Sequence, residues 1–165
     1  MIARMIGRLA RFLPGRKPAI AEASVADAAA IAALHGLSFR RGWSEQEIES
    51  LLVDRAVVAH RATRGRRLAG FIVSRQAGDE AEILSVAVAP HARARGLGRE
   101  LLALHLRRLS GRGVRTVYLE VDETNMPAGR LYRRAGFSEV GRRPNYYPGP
   151  DGRGTHALVL RRDLA

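Results

Sequence analysis

Apolar residues in this chain change period several times, and each change marks an element. Ile31, Leu34 and Leu37 recur at helical spacing, as do Ile48, Leu51 and Leu52. Each set follows a Ser-x-x-Asp/Glu pair, Ser24 with Asp27 and Ser44 with Glu47, which reads as a capping box opening a helix. Residues 56 to 61, 67 to 76 and 81 to 89 then read as strands. The glycine turns Arg64-Gly65-Arg66 and Ala77-Gly78-Asp79 between them predict an antiparallel meander. Leucines around much of the circumference of 97 to 109 predict a helix packed hard on a sheet, ended by Gly111 and Gly113. A buried strand over 116 to 121 follows. Pro127 then sits in the first turn of a short helix to Arg134, and Gly136 caps it before a strand from Phe137. His156 to Leu160 make a last strand. With Ala19 to Ala23 as the opening strand, the order is β-αα-βββ-α-β-α-β-β, an α/β (α+β) mixed sheet without internal repeat.

The 165 residues suit one domain over 18 to 165, behind a Pro/Gly/basic hinge from Pro14 to Pro18. Before the hinge, Ile2, Met5, Ile6, Leu9, Phe12 and Leu13 fall on one helical face and Arg4, Arg8 and Arg11 on another. Residues 1 to 17 therefore read as a basic amphipathic extension. A helix docked on the protein's own surface or a frayed tail, a contact with the ribosome or an anionic membrane through residues 1 to 13, and a targeting segment all remain open for it. No apolar run approaches the ~20 residues of a membrane span. The absence of cysteine excludes disulfides, thiolate zinc sites and a thiol nucleophile, so a reducing, cytoplasmic location is expected. The five histidines, at 35, 60, 91, 105 and 156, lack metal-ligand spacing. They are expected at surface or packing positions, and no metal is expected. The net charge of +12 favours anionic partners of some kind without choosing among them, and no aromatic-and-glycine signature of specific nucleic-acid binding is present.

The charge becomes specific at one junction. Val86 and Val88 belong to a strand that Pro90 must end, and Gly96 and Gly98 free the backbone to turn into the Leu-rich helix. Consecutive amides feeding a helix N-terminus, flanked by Arg93, Arg95 and Arg99, suit a pyrophosphate. On the next strand Glu120 faces away from Val117 and Leu119. It is either a wet-face glutamate or a base in a cleft. Tyr132, on the helix after that, is either a half-buried packing tyrosine or a proton donor. A base and an acid on consecutive elements beside a phosphate cradle are compatible with group transfer.

Arg93-Ala94-Arg95-Gly96-Leu97-Gly98 resembles the Arg/Gln-x-x-Gly-x-Gly/Ala loop that binds acetyl-CoA in the GNAT superfamily of N-acetyltransferases, and Leu131 to Phe137 resembles that family's Leu-Tyr-x-x-x-Gly-Phe. Gly42-Trp43-Ser44, Leu119-Glu120-Val121, Asn125 and Arg142-Arg143-Pro144-Asn145-Tyr146-Tyr147-Pro148 through Asp151-Gly152 resemble its RimI-type members, which modify the N-terminal alanine of a small-subunit ribosomal protein. The resemblance covers about residues 18 to 162. It implies a mainly antiparallel GNAT-like sheet flanked by helices. It also implies acetyl-CoA as co-substrate and a protein N-terminal peptide, such as that of a ribosomal protein, as acceptor. Val86, Ala87 and Val88 would present backbone groups to the pantetheine, Arg93 to Gly98 would cradle the pyrophosphate, and Asn125 would hydrogen-bond the coenzyme. Glu120 would be the general base, directly or through water, and Tyr132 the acid for the departing thiolate. Trp43, Tyr146 and Tyr147 would wall the acceptor cleft.

Two other classes stay open on the residues alone. One is an acetyltransferase of the same fold acting on a small-molecule amine or a lysine. The other is a non-catalytic basic module that binds the ribosome or a membrane.

Overall fold

The computed structural model describes residues 16–149 and 151–164. The basic amphipathic extension expected over 1 to 17 lies almost wholly outside the described residues. Within them the expected order of elements is observed. β1 (Ala19–Glu22) leads through a single 3-10 turn, Val25–Asp27, to α1 (Ala28–Ser38) and α2 (Glu45–Val53). The meander is β2 (Val57–Arg64), β3 (Arg67–Ala77) and β4 (Glu80–Val88). α3 (Leu97–Gly111), β5 (Thr116–Asp122), α4 (Met126–Arg134), β6 (Ser138–Tyr147) and β7 (Thr155–Asp163) complete the chain.

Both capping boxes form. The Ser24 amide donates to Asp27 Oδ2 at 2.8 Å, but this box closes the 3-10 turn and α1 starts one residue beyond it. Ser44 and Glu47 cap α2 reciprocally, at 2.7 and 3.1 Å. β2 runs three residues past its expected end because Gly65, at φ 61°, makes the reversal in two residues. Gly111 belongs to α3 itself. The chain turns away at Gly113, whose φ of 87° few other residues adopt.

The seven strands form one sheet in the order β1-β2-β3-β4-β5-β7-β6. All neighbours are antiparallel except β4 and β5, which α3 joins by a crossover. Their parallel ladder runs only from Glu80↔Thr116 to Ile83↔Leu119. Beyond it β4 continues to Val88 and β5 to Asp122 without pairing to each other.

A bulge starts this divergence. Val73 pairs with Ser85 and Ser74 with Ile83, so Leu84 is an extra residue that bends β4. It also reverses the facing of the strand. Ala81 and Ile83 before it and Val86 and Val88 after it all pack into the core beneath α3, whereas Leu84, Ala87 and Ala89 pack into the second core beneath α1 and α2.

The α3 core takes in Leu97, Leu101, Leu102, Leu106 and Leu109 against Ile72, Val117, Leu119, Leu158 and Leu160. The second core draws mainly on α1, α2 and β2 to β4, through Ile31, Leu34, Ile48, Phe71 and Val73. On that face β5, β7 and β6 carry no helix among the described residues. Tyr118 and Glu120, which alternate with the core residues Val117, Leu119 and Val121, look out over it.

Candidate active site

The end of β4 becomes a cradle through backbone conformation. Ala89 makes the last rung to β3, its amide donating to the Ala69 carbonyl at 2.8 Å, and Pro90 opens a single 3-10 turn to Ala92. Ala94 then adopts φ 60° and Gly96 φ 78° before α3 begins. Left-handed residues spaced this way turn successive amides to one side. The first α-helical bond runs from the Glu100 amide to the Gly96 carbonyl, so the amides of Leu97, Gly98 and Arg99 have no helical acceptor. With the helix dipole behind them they suit a phosphate. Gly96 is needed for its φ; Gly98 is not so constrained, since an added Cβ would meet Leu131 and Val88 at an ordinary 3.6 Å.

The split between β4 and β5 exposes backbone. The Ala89–Ala69 rung places Ala87 in a bonded pair with Phe71, so the amides and carbonyls of Val86 and Val88 point the other way, into the split. Ala87 corrects the expectation drawn from the sequence: its backbone groups face β3. The Val88 carbonyl is itself occupied, because Arg93 folds back and donates Nε–H to it at 3.0 Å. Arg93 thus ties the cradle to the strand, and Arg95 and Arg99 remain exposed beside the amides.

Asn125 stands at the far side of the split as the N-cap of α4, its Oδ1 accepting from the Ala128 amide at 3.2 Å. Asp122 sets its position. That carboxylate accepts from the Thr124 amide and hydroxyl at 2.9 and 2.8 Å and from the Thr155 hydroxyl at 2.9 Å. Burial opposes its charge, yet these bonds and the approach of Arg40 from the segment between α1 and α2 hold its pKa below the ordinary aspartate range.

Glu120 lies on an internal strand and is neither an edge residue nor fully solvated. Its side chain is 21% exposed and its Oε1 accepts from Arg143 Nε at 2.7 Å. Arg143 comes from β6, two strands away, and also lies 5.7 Å from the Tyr146 ring centre. Tyr132 departs from its half-buried expectation, being 8% exposed within the α3 core and edge-on to Phe137. Burial, with a contribution from Tyr147, pushes its phenol up to about 12. The Tyr147 phenol is raised by burial first and then by Glu120, Tyr146 and Asp122. Tyr147 thus bears on Tyr132 and is itself affected by Glu120, two residues that lie on opposite faces of the sheet.

Tyr146 and Tyr147 meet edge to face at 5.1 Å across a bulge in which residues 144 to 146 oppose His156 alone. Asn145 takes φ 52° there and its amide donates to His156 Nδ1 at 3.0 Å. Gly154 permits the close return of β7, since a Cβ would fall 2.8 Å from Asn145 Cα. Trp43, in the segment between α1 and α2, is held by His35, on which it stacks at 4.3 Å. Arg143, Asp122 and His35 had no assigned role on sequence grounds. The parity of β6 around Arg143 is hidden by its bulges, and neither Asp122 nor His35 stands in a motif.

The cradle and the strands β4 and β5, paired at one end and split at the other, define an acyl-coenzyme A transferase architecture. The chain belongs to the acetyltransferase (GNAT) family, whose model matches residues 28–137. It is an acetyl-CoA-dependent N-acetyltransferase. It is 39% identical over 111 residues to the [Ribosomal protein bS18]-alanine N-acetyltransferase of Escherichia coli K12, which covers 67% of this chain and 74% of that protein. The crystal structure of the ribosomal-protein-S18-alanine N-acetyltransferase from Escherichia coli superposes with a TM-score of 0.83 at 31% identity, covering 90% of this chain and 94% of the other. Arabidopsis thaliana NAA60 in complex with acetyl-CoA shares the fold, with a TM-score of 0.78 at 21% identity over 89% of this chain and 98% of that one.

Proposed function

We propose that the protein acetylates the α-amine of a protein N-terminus, with Glu120 as general base and Tyr132 as proton donor. The observation that carries the reading is the placement of Glu120. It is a partly buried carboxylate on the part of its sheet face, over β5, β7 and β6, that no helix among the described residues covers, beside the split between β4 and β5. Similarity to the bS18-alanine N-acetyltransferase of Escherichia coli supports an alanine N-terminus of a ribosomal protein as the first acceptor to examine.

An α-amine with pKa ~7.7–8.0 is mostly ammonium at neutral pH, so a lone pair must be uncovered before acyl transfer. Glu120 takes that proton, directly or through a water, once the amine displaces Arg143. Acetyl-CoA supplies the thioester whose acetyl group is transferred. The Val86 and Val88 amides on the vacated edge of β4 are oriented to donate toward developing oxyanion charge. Tyr132, at about 12, keeps its proton throughout the neutral range. Because a thiol ionises near ~8.5, transfer from this phenol to the sulfur is completed by coupling: Tyr132 gives its proton as the C–S bond breaks and regains the one that the nitrogen sheds as the amide forms. Trp43, Tyr146 and Tyr147 frame the acceptor, and holding amine and thioester together can be worth ~7–11 kcal/mol.

The test is incubation with acetyl-CoA and peptides varied at their first three residues, read by mass spectrometry. One acetyl group at the α-amine of alanine-first peptides is expected. Acetylation of lysine side chains or small amines with the peptide α-amines untouched would overturn the reading.

A further inference from the structure

We propose that His35 is a positioning residue for the acceptor: its neutral ring pins Trp43 and the segment from 39 to 43 against α1, and protonating the ring releases that wall. The inference rests on the reading of Trp43 as part of the acceptor cleft.

His35 lies in the last turn of α1 and is 3% exposed. Its Nδ1 accepts the Trp43 backbone N–H at 3.0 Å, which requires that nitrogen to be unprotonated. Its ring is stacked between two others, Phe39 at 4.4 Å and Trp43 at 4.3 Å, the latter only 14° from parallel. Phe71 of β3 stands behind it at 6.3 Å. The loop can fold back this closely because glycines meet there, a Cβ on Gly42 falling 2.9 Å from Gly36 Cα. One imidazole thus joins helix, loop and sheet on the acceptor side. A proton added at Nδ1 would set N–H against N–H and undo the only polar bond the structure shows between α1 and Trp43.

Several groups bear on that proton. The α1 C-terminus and the flanking rings favour a cation. Glu47 of α2 also favours it, although Glu47 is engaged by the Ser44 amide and lies 3.9 Å from Arg41. Phe71, Phe39 and Trp43 bring no charge. Burial outweighs these influences and keeps the ring neutral, its pKa below the ordinary histidine value.

Trp43 is the chain's single tryptophan, so its fluorescence reports directly on this stack. On titration from pH 8 to pH 5, with far-UV dichroism confirming a folded chain, Trp43 emission should change in one step with a midpoint below the ordinary histidine range. Over the same range KM for the acceptor peptide should rise about fivefold, the order expected for one lost hydrogen bond. KM for acetyl-CoA should stay level. His35→Asn keeps an acceptor oxygen near the Nδ1 position but cannot titrate, so both steps should vanish. Flat emission from the folded wild type, or the same step in His35→Asn, would overturn the proposal. So would a peptide KM that ignores the emission step. Failure to acetylate any N-terminal peptide would refute the proposed function instead, and the emission step would still decide whether His35 titrates against Trp43.

Discussion

Arg143 Nε stands 2.7 Å from Glu120 Oε1, so the carboxylate proposed as base is already engaged on the face where an acceptor must arrive. The pair is a gate of low cost, because Arg143 is 58% exposed and such pairs stabilise by about 1 kcal/mol or less. Glu120→Gln should keep the thermal response to acetyl-CoA and lose ~10²–10⁴ of turnover at neutral pH. Because free α-amine becomes abundant above its own pKa, raising the pH should restore part of the rate. A variant with wild-type turnover would remove Glu120 from the mechanism.

Tyr132→Phe should behave differently. The ring is buried against Phe137 and phenylalanine fills nearly the same volume, so folding and coenzyme binding should persist. Steady-state kinetics should show a turnover loss of the same order, ~10²–10⁴. Alkaline pH should bring little recovery, since the missing group serves the leaving sulfur and not the amine.

Backbone conformation makes the cradle testable without touching charge. Gly96 sits at φ 78°, where a β-branched residue is strained, while Gly98 has room for a methyl group. Acetyl-CoA at 100 times its dissociation constant should add ~2.7 kcal/mol to the stability of the wild type. In a thermal-shift assay Gly96→Val should abolish that response and Gly98→Ala should retain most of it. Equal responses from the two variants would move the pyrophosphate away from residues 93–98.

Much of this site was legible in the chain because its signals are local. Capping boxes, two-residue glycine turns and the proline that ends β4 act through neighbouring backbone, and period-2 alternation set the face of Glu120, while its role as base came only with the family resemblance. The bulge at Leu84 was not legible. Apolar residues continue on both sides of it, and only the pairing with β3 shows that one residue is extra. Arg143 reaches Glu120 across β7, and His35 meets Trp43 through a loop, so neither contact leaves a spacing to read. The histidines were expected at surface or packing positions, and His60 and His105 are buried packing residues; that they hydrogen-bond to each other, 45 residues apart, left no spacing to read.

That pair carries the last prediction. His60 Nδ1 and His105 Nδ1 are 2.7 Å apart between the sheet and α3, and His105 Nε2 lies 2.6 Å from the Ser74 hydroxyl. One proton serves the Nδ1 pair. Placing it on His60 leaves His60 Nε2 bare, which suits a buried nitrogen with no partner. A second proton would set two N–H groups head on. Burial, with His60 adding to it, lowers the His105 pKa to about 3. An unfolded histidine takes up its proton near ~6.5, so the unfolded chain binds more protons than the native one below that pH. Stability is therefore indifferent to His105 above pH 6.5 and falls as the pH drops toward 3. Each pH unit in that window costs ~1.4 kcal/mol. Urea unfolding should show a loss of about 2 kcal/mol from His105 between pH 6.5 and 5. His105→Gln should be less stable at pH 7, where the bonds to His60 and Ser74 are disturbed, but should lose less on acidification. Parallel losses in the two proteins would mean that His105 is protonated in the native state at pH 5 and that the buried pair opens without cost.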